Sequence, residues 1–548
     1  MRVRWFKSDL LLSLLLVIPA LEAATVEFDS AGFTQQVEAS AAQKMGLDWD
    51  SIRRLYEHLG EPFIWHQGET LNAQGRQLSA WLFSAEAEGL NPADYHVNQL
   101  QQQSLPDDPL LRELLLTDGY LRLAVDLRLG NQTARFLDPF GKLQLESFDP
   151  VEALIEALAQ KRLPEMLAGL SPARVEYSRL RQALVRYQEL EKQGGWPRLE
   201  SDHSLRPGRQ DPLIVHLRER LARETGWSNP IAEDQTLFDA DLQAEVQRFQ
   251  TRHGLEADGV VGEETLQALN VPVGRRVEQL RANLERWRWL PRELGTEHLL
   301  VNTAGFDITL QSHDRVVFSG RTVNGREERP TPSMVSSITH LVANPQWTVP
   351  RRIAVEDMLP RQQADPSYLS SKGIRSYRRE AADWQEFDPA TIDWALYHRD
   401  NFPFILKQDA GAGNSLGRVK FHMPNRQAIY LHDTPAVGLF TRSHRALSSG
   451  CVRVEDADQL ASLLITRADP WEADKFTQAM RTGETLIVPL REPIPVYLTY
   501  FTSWVGREGE VQFRPDIYQR DRVLMLAIAR DDHPVTAQWS VGSLPASL

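Results

Sequence analysis

The chain holds a single cysteine, Cys451, and His432 stands 19 positions before it. A thiol attacks well only as a thiolate, and a neighbouring imidazole is suited to take its proton or to pair with the anion. Around the two lie Ile429-Tyr430-Leu431-His432-Asp433-Thr434 and Ser448-Ser449-Gly450-Cys451-Val452-Arg453-Val454. Both read as short strands running into turns. With Val452 and Val454 facing a core, the two-residue period puts Cys451 and Arg453 together on the opposite face, and Tyr430 and His432 share a side by the same rule. The chemistry of such a pair is acyl transfer through a thioester. The attacked carbonyl then becomes an oxyanion, which backbone N–H groups stabilise, and Gly450 lets the backbone approach a substrate closely. Arg453 has two open roles, holding a substrate carboxylate or serving as a structural ion-pair partner.

Other chemistries are less well supported. One cysteine excludes an intramolecular disulfide and any zinc site built on several thiolates. His66 and His96 sit beside Trp65 and Tyr95 with no second histidine at metal-binding spacing, so they read as structural. No metal and no cofactor is expected. Gly413-Asn414-Ser415-Leu416-Gly417 satisfies the G-x-S-x-G pattern of serine hydrolases, yet it lacks the preceding strand and following helix which that motif needs. None of the lysines has Ser or Thr three residues before it, which excludes the S-x-x-K class. With Lys+Arg 61 against Asp+Glu 74 and a net charge of −13, a nucleic-acid partner is not expected.

The elements that must position the pair belong to a long, multidomain α+β chain of 548 residues. Residues 1–23 have the form of a secretory signal: Arg2, Arg4 and Lys7, then an apolar run from Leu10 to Ile18, then Leu21-Glu22-Ala23-Ala24. Uncleaved, the segment would be a membrane anchor, but the run falls short of the roughly 17 apolar residues a bilayer requires. An exported, extracytoplasmic chain is expected. Residues 25–206 carry dense apolar spacing of helical period and few turn formers, a helical scaffold. Residues 207–273 read as three short helices, and a connector helix follows within 274–294, with Leu280, Leu284, Trp287 and Leu290 along one side. From 295 to 548 period-two alternation predicts a β-rich domain, interrupted at about 351–405 by a stretch long enough to be a lid or binding loop.

Two resemblances add to this reading. Phe249-Gln250, Gly254-Leu255, Asp258-Gly259, Gly262, Thr265 and Leu269 resemble the hallmark of the three-helix peptidoglycan-binding domain. His432, then 15 residues, then Ser448-Ser449-Gly450-Cys451-Val452-Arg453 resembles the YkuD-type L,D-transpeptidase catalytic domain, with Ser449 standing where the common pattern has His. Trp287-Arg288-Trp289-Leu290-Pro291, Asn344-Pro345, Asn414-Ser415-Leu416-Gly417-Arg418 with Lys420-Phe421, and Tyr430 to Pro435 are similar to the large YcbB-like subgroup. That subgroup has a scaffold, a peptidoglycan-binding module and a catalytic domain with an inserted cap.

The resemblance implies a periplasmic, wall-associated enzyme acting on peptidoglycan stem peptides and glycan. Cys451 would be the nucleophile and His432 the base, with Asp433 orienting the imidazole through its carbonyl and Gly450 completing the catalytic set. Tyr430, Ser448, Ser449 and Arg453 would contact substrate. Acylation of Cys451 by carbapenems is a corollary. An L,D-carboxypeptidase or D-amino-acid exchange enzyme using the same site remains open, as does a scaffold that binds peptidoglycan without chemistry. Oligomeric state is not expected from any of these residues.

Overall fold

The computed structural model describes residues 46–101, 108–131, 134–135, 147–228, 234–313, 315–381 and 383–530. The expected signal segment and the first residues of the scaffold lie outside them. Among the described residues no helix is long and apolar enough to cross a membrane.

The helical region is organised around Pro109–Leu129, which starts at a side-chain cap from Asp108 with Pro109 in the first turn and is buried on nearly every side. A helix buried all round must satisfy its polar residues internally. Glu113 does so by accepting from the backbone N–H groups of Ile64 (2.6 Å) and Trp65 (3.0 Å) and from the Tyr56 hydroxyl (3.0 Å), with His66 Nδ1 at 2.6 Å. Asp118, one face further along, meets His96 Nε2 at 2.6 Å and Arg122 Nε at 2.5 Å. His66 and His96 are thus fully occupied in tying a loop and a short 3₁₀ turn to the central helix. A two-stranded hairpin, β1 (His66–Gln67) and β2 (Thr70–Leu71), is set into the helices.

The three-helix unit comprises Leu213–Thr225, Ala240–Arg252 and Glu263–Leu269 around Ile214, Leu217, Leu221, Val246, Phe249 and Leu269. Its hallmark residues build the fold directly. The Gln250 amide donates to Asp258 Oδ1 (2.8 Å) and the Val260 carbonyl (2.9 Å) and accepts from the Gly259 N–H (2.8 Å), which locks the turn before the third helix.

The connector is the helix Val273–Arg288, and it is buried on several faces rather than along one side. Its apolar residues share a core with the scaffold helix Val175–Lys192 and with the C-terminal segment, where Trp287 stacks on Phe501 at 4.8 Å. Its polar residues hold that segment by hydrogen bonds: Gln279 to the carbonyls of Thr502 (3.0 Å) and Arg514 (2.8 Å), Asn283 to Thr502 Oγ1 (2.8 Å), and Arg286 to Asp521 (2.5 Å). The C-terminal aromatics therefore pack between sheet and connector, not on the catalytic sheet alone.

The β-rich half is one sheet in the order β13-β5-β14-β12-β11-β6-β15-β3-β4, and because β4 (Asp307–Ser312) also pairs with β5 (Arg315–Gly325) it closes on itself. The remaining members are β3 (Glu297–Asn302), β6 (Met334–Ala343), β11 (Val419–His422), β12 (Leu431–His432), β13 (Ala446–Ser448), β14 (Val452–Val454) and β15 (Leu486–Thr499). Pairing is antiparallel except at β12–β14, β13–β5 and β15–β3. Leu299, Ile308, Leu341, Phe421, Leu431, Val452 and Val496 fill the interior.

A second sheet, β7-β10-β8-β9, stands apart from the barrel: β7 (Trp347–Thr348), β8 (Ile374–Glu380), β9 (Asp383–Phe387) and β10 (Phe404–Gln408). The inserted unit therefore runs from Trp347 to Gln408, wider at both ends than the expected 351–405. It has its own core of Trp347, Met358, Leu369, Trp394, Phe402 and Phe404. Between β7 and β8 the chain is helical and passes through a π turn at Ala354–Met358. β16 (Ser503–Val505) and β17 (Val511–Phe513) form a small hairpin before the last described helix, Arg520–Arg530.

The buried Glu113 cluster carries a stability prediction. Removing one partner leaves buried donors unsatisfied, so Glu113→Ala should destabilise the helical region by about 3–5 kcal/mol. Urea denaturation monitored by tryptophan fluorescence measures this, since Trp65 lies in the cluster.

Candidate active site

Leu431 pairs with Val452 and His432 with Arg453 across the parallel strands β12 and β14. Leu431, Val452 and Val454 are buried in the barrel, which turns Tyr430, His432, Cys451 and Arg453 to its outer face, as the period-two reading expects. On β11, Val419 and Phe421 point inward, so Lys420 and His422 join that face, with Lys420 directly opposite His432. Two rows result. Lys420, His432 and Arg453 form one, and His340, His422, Tyr430 and Cys451 form the next, with the His340 and His422 rings stacked at 4.3 Å.

His432 is buried, and its Nδ1 lies 2.5 Å from the Asp433 carbonyl. A carbonyl only accepts, so Nδ1 carries the proton and Nε2 keeps the lone pair of a base. Burial first, and then the Arg453 charge, pull the imidazole down to about 3, so it is neutral at any ordinary pH. The Asp433 carboxylate faces away, accepting from the Arg418 N–H at 2.8 Å. Gly417 is required there: its φ is +61°, and a Cβ would stand 2.2 Å from Asp433 Oδ2.

Cys451 Sγ lies 3.8 Å from the Ala428 carbonyl, and no hydrogen bond joins it to His432. Burial pushes the thiol up, opposed by the Tyr430 backbone N–H and hydroxyl and by the charges of Lys420 and Arg453. The resting pair is therefore neutral thiol and neutral imidazole, not thiolate and imidazolium. His432 and Cys451 lie on neighbouring chain segments, Cys451 two positions before the residue that pairs with His432. Catalytic hydrogen bonds often tighten only when substrate is bound.

The turn before the nucleophile is held by its own residues. Ser448 is buried, donates to the Cys451 carbonyl at 2.6 Å and accepts from the Gly450 N–H at 3.0 Å, so it shapes the turn. Gly450 is needed there for its backbone, with φ at +119° and its carbonyl held by Thr331 Oγ1 at 2.8 Å. Ser449 accepts from Arg329 Nη1 at 3.1 Å. Arg329 is itself gripped by Asp357 (Nη2 to Oδ1, 2.9 Å) and Glu356 (2.7 Å) from the π turn of the inserted unit. A seryl hydroxyl at 449 thereby links the nucleophile loop to the cap.

Tyr430 bridges the same two bodies. Its ring packs with the cap cluster and stands 5.7 Å from the His432 ring, with Lys420 Nζ 4.2 Å from its centroid. Burial, and then the neighbouring sulfur, push its phenol up beyond the ordinary range. Arg453 Nε is buried without a hydrogen-bond partner among the described residues, and burial pulls both Arg453 and Lys420 down. Neither cation has a carboxylate partner there, so the structural ion-pair role left open for Arg453 is not used. Among the described residues no three His, Cys, Asp or Glu side chains cluster to hold a metal.

Residues 296–475 match the L,D-transpeptidase catalytic domain, 210–269 the putative peptidoglycan binding domain, and 50–184 a scaffold domain. Over residues 296–475 the chain is thus similar to the L,D-transpeptidase catalytic-domain family. A putative L,D-transpeptidase of Haemophilus influenzae is 37% identical over 269 residues, 48% of this chain and 53% of that protein. The match thus spans about half the length of that curated relative. A crystal structure of the L,D-transpeptidase (residues 123–326) of Xylanimonas cellulosilytica is 14% identical and covers 55% of this chain and 98% of its own, with a TM-score of 0.18. A fused Zn-dependent amidase/peptidase/peptidoglycan-binding protein of Clostridium acetobutylicum is 10% identical over 54% of this chain and all of its own, with a TM-score of 0.13. At such scores neither overlay bears on this fold.

Sequence reasoning missed Lys420 as a site residue, and also Arg329, Glu356 and Asp357. Lys420 carried a signal, since it lies in a Val-Lys-Phe-His alternation that must place it outward. Arg329 carried none.

The neutral resting pair has a kinetic signature. Alkylation of Cys451 by iodoacetamide should rise through the alkaline range, with its midpoint above about pH 8.5, and show no step between pH 5 and 7. A plateau at neutral pH would mean a thiolate–imidazolium pair and would contradict the geometry.

Proposed function

We propose that this L,D-transpeptidase domain crosslinks peptidoglycan stem peptides through a thioester on Cys451. The observation that carries the reading is the shared outer face of β11, β12 and β14, where a thiol, an imidazole with its Nδ1 held by the Asp433 carbonyl and two cations without carboxylate partners stand together. The sulfur gives its proton to His432 Nε2 and attacks the diaminopimelate carbonyl of a donor tetrapeptide. The tetrahedral adduct collapses with loss of D-alanine, whose nitrogen takes the proton from the imidazolium. A diaminopimelate side-chain amine of a second stem then attacks the thioester and gives a proton to His432, and the thiol re-forms as the diaminopimelate–diaminopimelate amide is completed.

The electrostatics give the substrate a part in this. Burial, and after it the repulsion of a proton by Arg453 and Lys420, makes the His432 imidazole a poor base while the site is empty. Stem peptides carry carboxylates. A carboxylate placed between the two cations would neutralise that repulsion and raise the basicity of His432 when there is something to acylate. The cap, tied to the nucleophile loop through Arg329–Ser449 and Tyr430, would exclude water, which otherwise competes for the thioester. Export through residues 1–23 and association with the cell wall belong to the same proposal.

Incubation with a disaccharide-tetrapeptide should yield an acyl-enzyme mass on Cys451, free D-alanine and crosslinked dimer, and Cys451→Ser should yield none of them. Dimer formation by that variant would overturn the thioester route. Lys420→Met should raise KM for the tetrapeptide by about tenfold, the value of one charge-assisted contact of roughly 1.4 kcal/mol. An unchanged KM would remove Lys420 from the carboxylate cradle.

A further inference from the structure

A cleft of about 740 Å³ lies between the three-helix module and the barrel. One wall is the turn after the helix Ala240–Arg252, with Leu255 and Glu256, and the other is Phe306 together with the segment that leads into β13. Three guanidinium groups line it, Arg442, Arg445 and Arg514.

Carbonyl oxygens, not ion pairs, hold two of these cations. Arg445 donates to the carbonyls of Thr322 (3.1 Å), Arg442 (2.6 Å) and Phe306 (3.0 Å), and Arg514 to those of Arg252 and Phe513 (both 2.8 Å). The exposed Arg442 side chain makes no hydrogen bond or ion pair among the described residues. Burial pulls Arg514 down to about 10, opposed by the Asp307 charge and helped by that of Arg445. Two carboxylates are near: Glu256, exposed on the module wall, and Asp307, which burial pushes up to about 6 despite Arg514 and Arg445. In a chain of net charge −13 the cleft is thus a local positive field bounded by low-dielectric walls.

Its position ties it to the thiol. Arg445 immediately precedes β13, and Ser448 at the far end of that strand closes the Cys451 turn, about 10 Å further along.

We propose that this cleft binds the carboxylate-bearing peptide of a peptidoglycan strand that lies across module and barrel. The inference rests on peptidoglycan being the substrate of the thiol site, and it adds a second contact point for the polymer. The charge on the walls then sets affinity for polymer without touching the acylation step.

The test uses the full chain and two exposed positions of opposite sign. Co-sedimentation with purified sacculi should show affinity falling fivefold or more in Arg442→Glu and rising in Glu256→Lys, with added salt shrinking both differences. Both variants should acylate Cys451 with a soluble disaccharide-tetrapeptide at the wild-type rate. Opposite signs separate a charge effect from a folding defect. Sacculus binding that is absent in the wild type, or equal in all three proteins, would overturn the cleft proposal while leaving a measured acyl-enzyme intact. Binding that follows the charge order in a protein that never acylates would instead overturn the thioester reading alone.

Discussion

Parallel pairing of two very short strands is the constraint on which the site depends. β12 and β14 are two and three residues long, and a slip of one residue between them would turn Cys451 or His432 into the barrel interior. The register is held from both sides. β11 and β5 flank the pair, and Leu431 and Val452 are completely buried where a polar replacement has no partner. The turn before β14 is fixed independently by Ser448, Gly450 and Thr331. So the reactive atoms stand on backbone that is paired on both sides and held by its own turn.

Electrostatics divide the molecule in two. In the scaffold and connector, buried charges are paired: Glu113 with His66, Asp118 with His96 and Arg122, Arg288 with Glu285. On the catalytic face Arg453 and Lys420 stand without carboxylate partners among the described residues, and in the cleft beside the module Arg445 and Arg514 are held by carbonyl oxygens. Buried charge without an ion pair costs stability. The Arg329 cluster lies between the two regimes, since its carboxylates come from a separately packed unit and its bond to Ser449 reaches the nucleophile loop.

Much of this was legible in the residues. Alternation through Tyr430-Leu431-His432 and Cys451-Val452-Arg453 fixes which side chains share a face, and the spacing of Phe249 to Leu269 identifies a three-helix unit. The G-x-S-x-G segment is a turn between β10 and β11, as its flanks imply. What was not legible depends on direction or on distant pairing. A serine in a nucleophile loop does not declare whether its hydroxyl points to substrate or backbone, and Ser448 points to backbone. Arg329 reaches Ser449, 120 positions away, because β13 pairs in parallel with β5. The cap's edges were misjudged because β7 and β10 keep the alternation of barrel strands while hydrogen-bonding to a different sheet.

The place of β15 in the sheet has a consequence for the order of assembly. It lies between β6 and β3, antiparallel to the first and parallel to the second, although some 140 residues of chain separate it from β6 and about 180 from β3. Until it arrives, β6 and β3 have unpaired edges and the barrel is an open ribbon. A chain emerging from its N-terminus can complete the scaffold and the three-helix unit early. The barrel that carries the thiol closes only when β15 arrives, after every strand of the catalytic face has been made.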